Sequence, residues 1–318
     1  MTQSVTIEEF LVEFQSEEMC LHYLIQQKWP AGYACDRCGC RSAYRTHTRR
    51  LPLFECVDCR YQASPLVGTV IEGSRTPLRK WFVALFLLSQ DTIKTNATEL
   101  SRIINVTYKT GWLILQKIRY AIGQADANVS LSGLVSVTGA IYGQPYNPTF
   151  NRHPQETPAL IGASMSNKSM DNKSMTNKSM NDASNNGGSA NDGSNSEVHE
   201  PTYVKIKLVP DEHLNEKDIL RSATEAYTRQ HVEKGATTNY IIKRYIKLTE
   251  RPTYPLFKES RKWINKTFHA LGRRHLQAYL NEFCFRLNCK LRNTVSIFQE
   301  LTQICTTTKT ITYVALIG

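Results

Sequence analysis

Four cysteines, Cys35, Cys38, Cys56 and Cys59, fall in the spacing C-x2-C-x17-C-x2-C. Two thiolates two residues apart grip one edge of a tetrahedral cation, and a second pair returned by a short β-excursion closes the other edge. The spacing predicts a zinc ribbon with one structural Zn²⁺ held between two knuckles on facing hairpin tips. A disulfide framework, or two coincidental C-x-x-C pairs, is the alternative. Gly39 after the first knuckle and the alternating run Leu51-Pro52-Leu53-Phe54-Glu55 before the second fit the ribbon. Cys20, Cys40, Cys284, Cys289 and Cys305 read as buried thiols, with Cys40 close enough to the first knuckle to be a spare ligand.

Charge supplies the second chemical signal. The chain has 39 Lys and Arg against 28 Asp and Glu, a net charge of +11, which favours a polyanionic partner. Between residues 243 and 292 there are thirteen Lys or Arg and three Glu, interleaved with Tyr254, Trp263, Phe268 and Tyr279. That imbalance reads as a phosphate-facing surface including Lys262, Lys266, Arg273 and Arg274, the alternative being a solvated helix face. The first twenty residues carry five Glu and no Lys or Arg, unlike a secretory leader. The longest apolar run, Trp81 to Leu88, is too short to cross a bilayer. A cytoplasmic protein with reduced thiols and no membrane partner is expected.

Helical periodicity spans Ile7 to Trp29 through Phe10, Leu11, Phe14, Met19, Tyr23 and Leu24, and Pro30-Ala31-Gly32 hands the chain to the ribbon, Tyr33 to Ser64. A helix opens at Pro77 and runs through Leu88. Ala97 to Ile104, the turn Asn105 to Thr107, and Tyr108 to Ile122 have the layout of a helix-turn-helix, with Leu100, Ile103, Val106, Trp112, Leu115 and Ile118 as shared core. Thr107, Tyr108, Lys109 and Thr110 then open the recognition helix toward base edges, and Lys117 and Arg119 hold phosphates. A helical hairpin without a DNA role is the alternative. Strands are expected at Leu131 to Tyr142, Pro158 to Ala163, Tyr203 to Val209 and Asn239 to Ile246, with a helix from His213 to Gln230 and basic helices after it. Low-complexity sequence from Ser164 to about Ser196 repeats Met every five residues, a period that builds no apolar stripe, and reads as a disordered insertion. The expected units are 1–64 (helix and ribbon), 65–128 (helix-turn-helix region), 129–163 and 201–318 (two halves of an α/β domain), and 164–200 (the insertion).

This order resembles the ISXO-two-like (IS-fifteen-ninety-five) family of insertion-sequence transposases. The carriers are Cys20-Leu-His-Tyr-Leu, Lys28-Trp-Pro-Ala-Gly, the cysteine quartet, Gly68-Thr-Val, Pro77-Leu-Arg-Lys-Trp-Phe, Val106-Thr-Tyr-Lys-Thr, Lys262-Trp-Ile-Asn-Lys-Thr-Phe-His, and His275-Leu-Gln-Ala-Tyr-Leu-Asn-Glu-Phe-Cys-Phe-Arg-Leu-Asn. The resemblance implies a multidomain protein whose α/β part is an RNase H-like (DDE-type) nuclease cutting and rejoining DNA around two Mg²⁺ ions. Hard cations held a few ångströms apart require carboxylates. The family places one Asp on the first strand, a second near the end of a later strand, and a Glu, or an Asn with a Lys, on the last helix. Here the first position falls on Thr138, the second on Ala223 and the third on Glu259 and Arg261, and no Asp or Glu stands between Asp126 and Glu156. Glu225 is the nearby substitute.

The expected function is therefore a DNA-binding protein of the transposase family, inactive in catalysis, with structural zinc and without bound Mg²⁺. Its partner would be double-stranded DNA at element ends, with a homo-oligomer or a mixed oligomer with an intact relative. An active transposase using Glu225 and Glu259, a helper of such a relative, and a protein-binding zinc-ribbon scaffold are the alternatives.

Overall fold

The computed structural model describes residues 6–46, 51–90, 95–143, 151–166, 200–216, 218–242, 253–268 and 271–317. The single N-terminal helix expected from periodicity is two helices, α1 (Ile7–Glu13) and α2 (Glu17–Lys28). The break is chemical: the Ser16 hydroxyl accepts the Met19 N–H at 3.2 Å and caps α2, which local side-chain capping favours over continuation. Met19 consequently faces solvent. The break also sets Glu17 against α3 (Leu78–Ser89), whose N-cap Pro77 has no capping side chain. Glu17 accepts both the Leu78 and Arg79 N–H groups at 2.9 Å, satisfying orphan donors and placing an anion at the positive helix end.

Next come α4 (Ala97–Ile103) and α5 (Tyr108–Ala127), capped by Asn96 and Thr107. Gly111 lets them touch, since a Cβ there would lie 3.1 Å from the Ala97 carbonyl and 3.2 Å from the Ser101 Cβ. Ile103, expected in the shared core, is 50 % exposed, and Ile104 is buried in its place. Left-handed backbone at Asn105 (φ 50°) reverses the chain just after it, so the last apolar residue of the turn points inward. A distant segment completes this core. Leu301 and Cys305 of α9 (Ile297–Thr307) join it, and the Phe298 ring sits 5.2 to 5.8 Å from Phe10, Phe14, Tyr23 and Phe82. Thus α9 lies with the N-terminal helices and not with the sheet, contrary to a continuous 201–318 unit.

The mixed α/β part has four strands, β4 (Leu134–Tyr142), β5 (Thr157–Ser166), β6 (Glu200–Leu208) and β7 (Thr237–Ile241), in the order β6-β5-β4-β7. The β4–β5 and β5–β6 pairs are antiparallel and β4–β7 is parallel. Residues 164–166 extend β5 and residue 200 opens β6; the rest of the expected insertion, 167–199, lies outside the described residues. The expected helix from His213 is a 3-10 turn, Asp211–His213, followed by α6 (Arg221–His231). Strand alternation divides the core. Ala140, Tyr142, Ile161 and Ile206 pack on α7 (Tyr254–Phe268) and α8 (Arg273–Leu291), while Val135, Val137 and Leu160 pack on Ala223 and Tyr227 of α6. Among the described residues no helix is long and apolar enough to cross a membrane.

Helix α5 joins the two cores. Near its middle Arg119 Nε donates to Glu282 Oε2 of α8 at 2.7 Å, and Arg286 Nε donates to Glu282 Oε1 at 3.2 Å. At its end Asp126 pairs with Lys207 at 2.7 Å and Lys205 at 3.4 Å on β6. Removing one member of a buried ion cluster strands its partners in low dielectric. Glu282→Gln should therefore cost about 3–5 kcal/mol of stability in urea unfolding. A loss below about 1 kcal/mol, as for a surface pair, would show that the cluster does not hold α5 to α8.

Candidate zinc centre and nucleic-acid interface

The ribbon is a three-stranded antiparallel sheet, β1 (Ala43–Thr46), β2 (Leu53–Cys56) and β3 (Gln62–Ala63). Its two knuckles repeat one hydrogen-bond pattern. Cys35 N–H donates to the Cys40 carbonyl and Gly39 N–H to the Cys35 carbonyl, both at 2.9 Å; Cys56 N–H donates to Tyr61 at 2.9 Å and Arg60 N–H to Cys56 at 3.2 Å. The fifth residue of each turn is left-handed, Gly39 at φ 74° and Arg60 at φ 57°. Glycine adopts this freely, whereas Arg60 does so at a steric cost of about 1–2 kcal/mol. The second knuckle thus carries strain that its sequence does not advertise.

These turns converge the four thiols. Cys35 Sγ lies 3.6 Å from Cys59 Sγ and Cys38 Sγ 3.5 Å from Cys56 Sγ, with all four within 4.8 Å of one another. A tetrahedral zinc with Zn–S bonds of about 2.3 Å separates its sulfurs by about 3.8 Å, so the set fits that ion. The crowded thiols shift one another's acidity in opposite directions. Burial works against the Cys35 thiolate, but N–H groups of Cys38 and Arg37 and the thiols of Cys59 and Cys38 outweigh it and bring Cys35 down to about 6. Although the Cys40 backbone favours its thiolate, Cys38 is pushed up to about 12 by Cys59, burial, Cys56 and Cys35. Four thiolates in this space require a cation. Cys40 is not a spare ligand: its Sγ faces the backbone of Ser42 and is outside the cluster. Trp29, Tyr33 and Phe54 brace the ribbon from beneath, with centroids 5.0 to 5.7 Å apart.

The residues expected to touch DNA divide into two groups. Thr107, Tyr108 and Lys109 are exposed at the start of α5, and Thr110 is half-buried; Lys109 Nζ stands 4.9 Å from the Tyr313 ring of the C-terminal helix α10 (Tyr313–Ile317). Lys262, Lys266, Arg273 and Arg274 are also exposed, Arg273 pairing with Asp211 at 2.6 Å. Lys117 and Arg119, by contrast, are only 8 % and 1 % exposed. Lys117 Nζ donates to Thr310 Oγ1 at 2.9 Å and to the Val70 carbonyl at 3.3 Å, and Arg119 serves the α8 ion cluster. Their assignment to phosphates is corrected: α5 is covered by α3, α8 and α9 beyond its first turn, which helical spacing within α5 alone does not reveal.

The expected metal positions also scatter. Thr138 lies on β4, 1 % exposed, its hydroxyl in contact with that of Thr253. Beside it is a cavity of about 10 Å³ lined by Thr138, Gly139, Ala140, Ile161, Thr253, Tyr254 and Phe257, with no acid among them. Ala223 is in α6 against the opposite face of the sheet, so it cannot share a site with Thr138. The strand-end residue beside Thr138 is instead Ile241 of β7, a position that parallel pairing identifies and linear spacing does not. Glu259 and Arg261 flank buried Ser260 on α7 and are exposed. Glu225 pairs with Arg221 at 3.2 Å on the surface of α6. Among the described residues the cysteine quartet is the one cluster of three or more metal-ligating side chains.

Comparison with known proteins returns the ribbon. Residues 15–62 match the transposase zinc-ribbon domain family. An uncharacterized protein in transposable element ISH50 of Halobacterium salinarum is 32% identical over 110 residues, 34% of this chain and 37% of that protein. No solved structure matches. The chain carries a zinc ribbon of the transposase type ahead of a mixed α/β domain. Elemental analysis should find one zinc per chain, retained in Cys40→Ser and lost in Cys56→Ser with a fall in thermal stability. Full zinc content in Cys56→Ser would remove the quartet as its ligand set.

Proposed function

We propose that this chain is a DNA-binding protein of an insertion sequence, derived from a transposase, in which an RNase H-like core no longer performs strand transfer. The carrying observation is the burial of Thr138, 1 % exposed, beside a small cavity with no acid among its described lining residues. Two Mg²⁺ ions need several oxygen ligands at about 2.0–2.1 Å and an open route for water and phosphate. A cavity of about 10 Å³ flanked by Thr253 and Phe257 has room for about one water. With Ile241 beside it, uncharged groups replace the carboxylates that would neutralise the ions.

The strand order supports the nuclease ancestry, since three antiparallel strands are followed by a helix and a fourth strand parallel to the first. DNA binding is supported by the ribbon, by Thr107, Tyr108, Lys109 and Thr110 at a helix-turn-helix entry, and by Lys262, Lys266, Arg273 and Arg274. Glu225 and Glu259 are poor stand-ins for an active site: one is on the far face of the sheet and the other points to solvent.

Duplex affinity should fall linearly with the logarithm of salt concentration. Changing Lys109, Lys262 and Lys266 together to Gln should reduce that slope by up to about 0.9 per lost phosphate contact. Lys117→Gln should lower stability and leave the slope alone. Purified protein should not nick DNA with Mg²⁺ or Mn²⁺; metal-dependent nicking that disappears in Glu259→Ala would overturn the proposal.

A further inference from the structure

A cleft of about 530 Å³ lies toward the Tyr142 end of β4. It lies between the end of β4, α7 and the first turn of α8. Tyr142, Ile264 and Leu276 contribute apolar wall, while Arg261, Asn265 and Arg273 contribute cationic and amide groups. The volume is that of a small-ligand site, and the mixture of apolar lining with few polar groups is typical of one.

The first turn of α8 brings cations to the rim of this cleft, where Asp211 pairs with Arg273 at 2.6 Å. Helix α8 is 19 residues long, yet its N-cap Gly272 supplies no side-chain cap and its first turn contains no acid. That turn instead begins with Arg273 and Arg274. Cations at the positive end of a helix repel its dipole, an unfavourable placement that an anion relieves. Arg273 is oriented by Asp211, which accepts from Nη2 at 2.6 Å. Arg261 approaches from α7, so two guanidinium groups carried on different helices border one cleft.

We propose that this cleft binds one nucleotide, with its phosphate on Arg261 and Arg273 and its base against Ile264 and Leu276. Guanidinium forks match phosphate oxygens, and an apolar wall accepts a base face without reading its identity. The nucleotide is either the unpaired end of a DNA strand or a free mononucleotide. The strand source rests on the DNA-binding reading above; the cleft itself does not.

The test uses the zinc-loaded full chain with a short blunt duplex, the same duplex bearing an unpaired 5′-phosphorylated end, and dAMP. The unpaired-end duplex should bind about tenfold more tightly than the blunt one, a difference within reach of one charge-assisted phosphate contact. Arg261→Gln and Asn265→Leu should each bring that ratio to about one, with melting temperatures showing that both variants fold. Excess dAMP that abolishes the ratio supports the free-nucleotide source, and a ratio that persists supports the strand source. If neither duplex binds, the DNA-binding reading fails, and calorimetric dAMP binding lost in Arg261→Gln still supports the cleft. Equal affinity for both duplexes together with no dAMP binding overturns the proposal.

Discussion

Burying charge between α5 and α8 is the constraint on which the rest of this molecule depends. Arg119, Glu282 and Arg286 are at most 8 % exposed, and two cations share one carboxylate. The excess positive charge is spread by aromatic faces, with the Arg119 guanidinium 4.1 Å from the Tyr279 centroid and 5.4 Å from Phe268. Arg286 also donates to the Gln90 carbonyl at 2.9 Å, bringing the end of α3 into the same cluster. Such an arrangement tolerates little displacement, because each lost contact exposes the desolvation cost of the others. It fixes α8 against α5, and α8 in turn covers one face of the sheet.

A second ionic lock acts in the same sense at the other end of α5. Lys205 is fully buried on β6; burial pulls its ammonium below the ordinary range, and Asp126 opposes that shift. Together the two clusters make α5 a shared beam. On one side it belongs to the core containing α2, α3 and α9; on the other it anchors β6 and α8. The first turn of α5 is left exposed, so a helix with the spacing of a recognition element is largely a structural member.

Different forces hold the ribbon and the α/β domain. Short turns set the four thiols of the ribbon, and Trp29, packed edge-on to the stacked Tyr33 and Phe54 rings, seats it at the end of α2. In the α/β domain the sheet has a central β4 with β7 parallel beside it, and Thr138, Thr253 and Phe257 pack hydroxyl and hydrocarbon against one another there.

The sequence by itself determined the features whose geometry is local: the cysteine quartet, the helix pair at α4 and α5, the strand runs and the basic stretch. Each follows from spacing within a turn, a strand or a helix. It misjudged the break at Ser16, where a hydroxyl competes with continuing helical hydrogen bonds. Only the tertiary structure decided that Lys117 and Arg119 are internal, that α9 returns to the N-terminal core, and that Ile241 rather than Ala223 neighbours Thr138. The reason is physical. Periodicity says which residues share a face, but what covers that face is fixed by packing and charge compensation between segments more than a hundred residues apart.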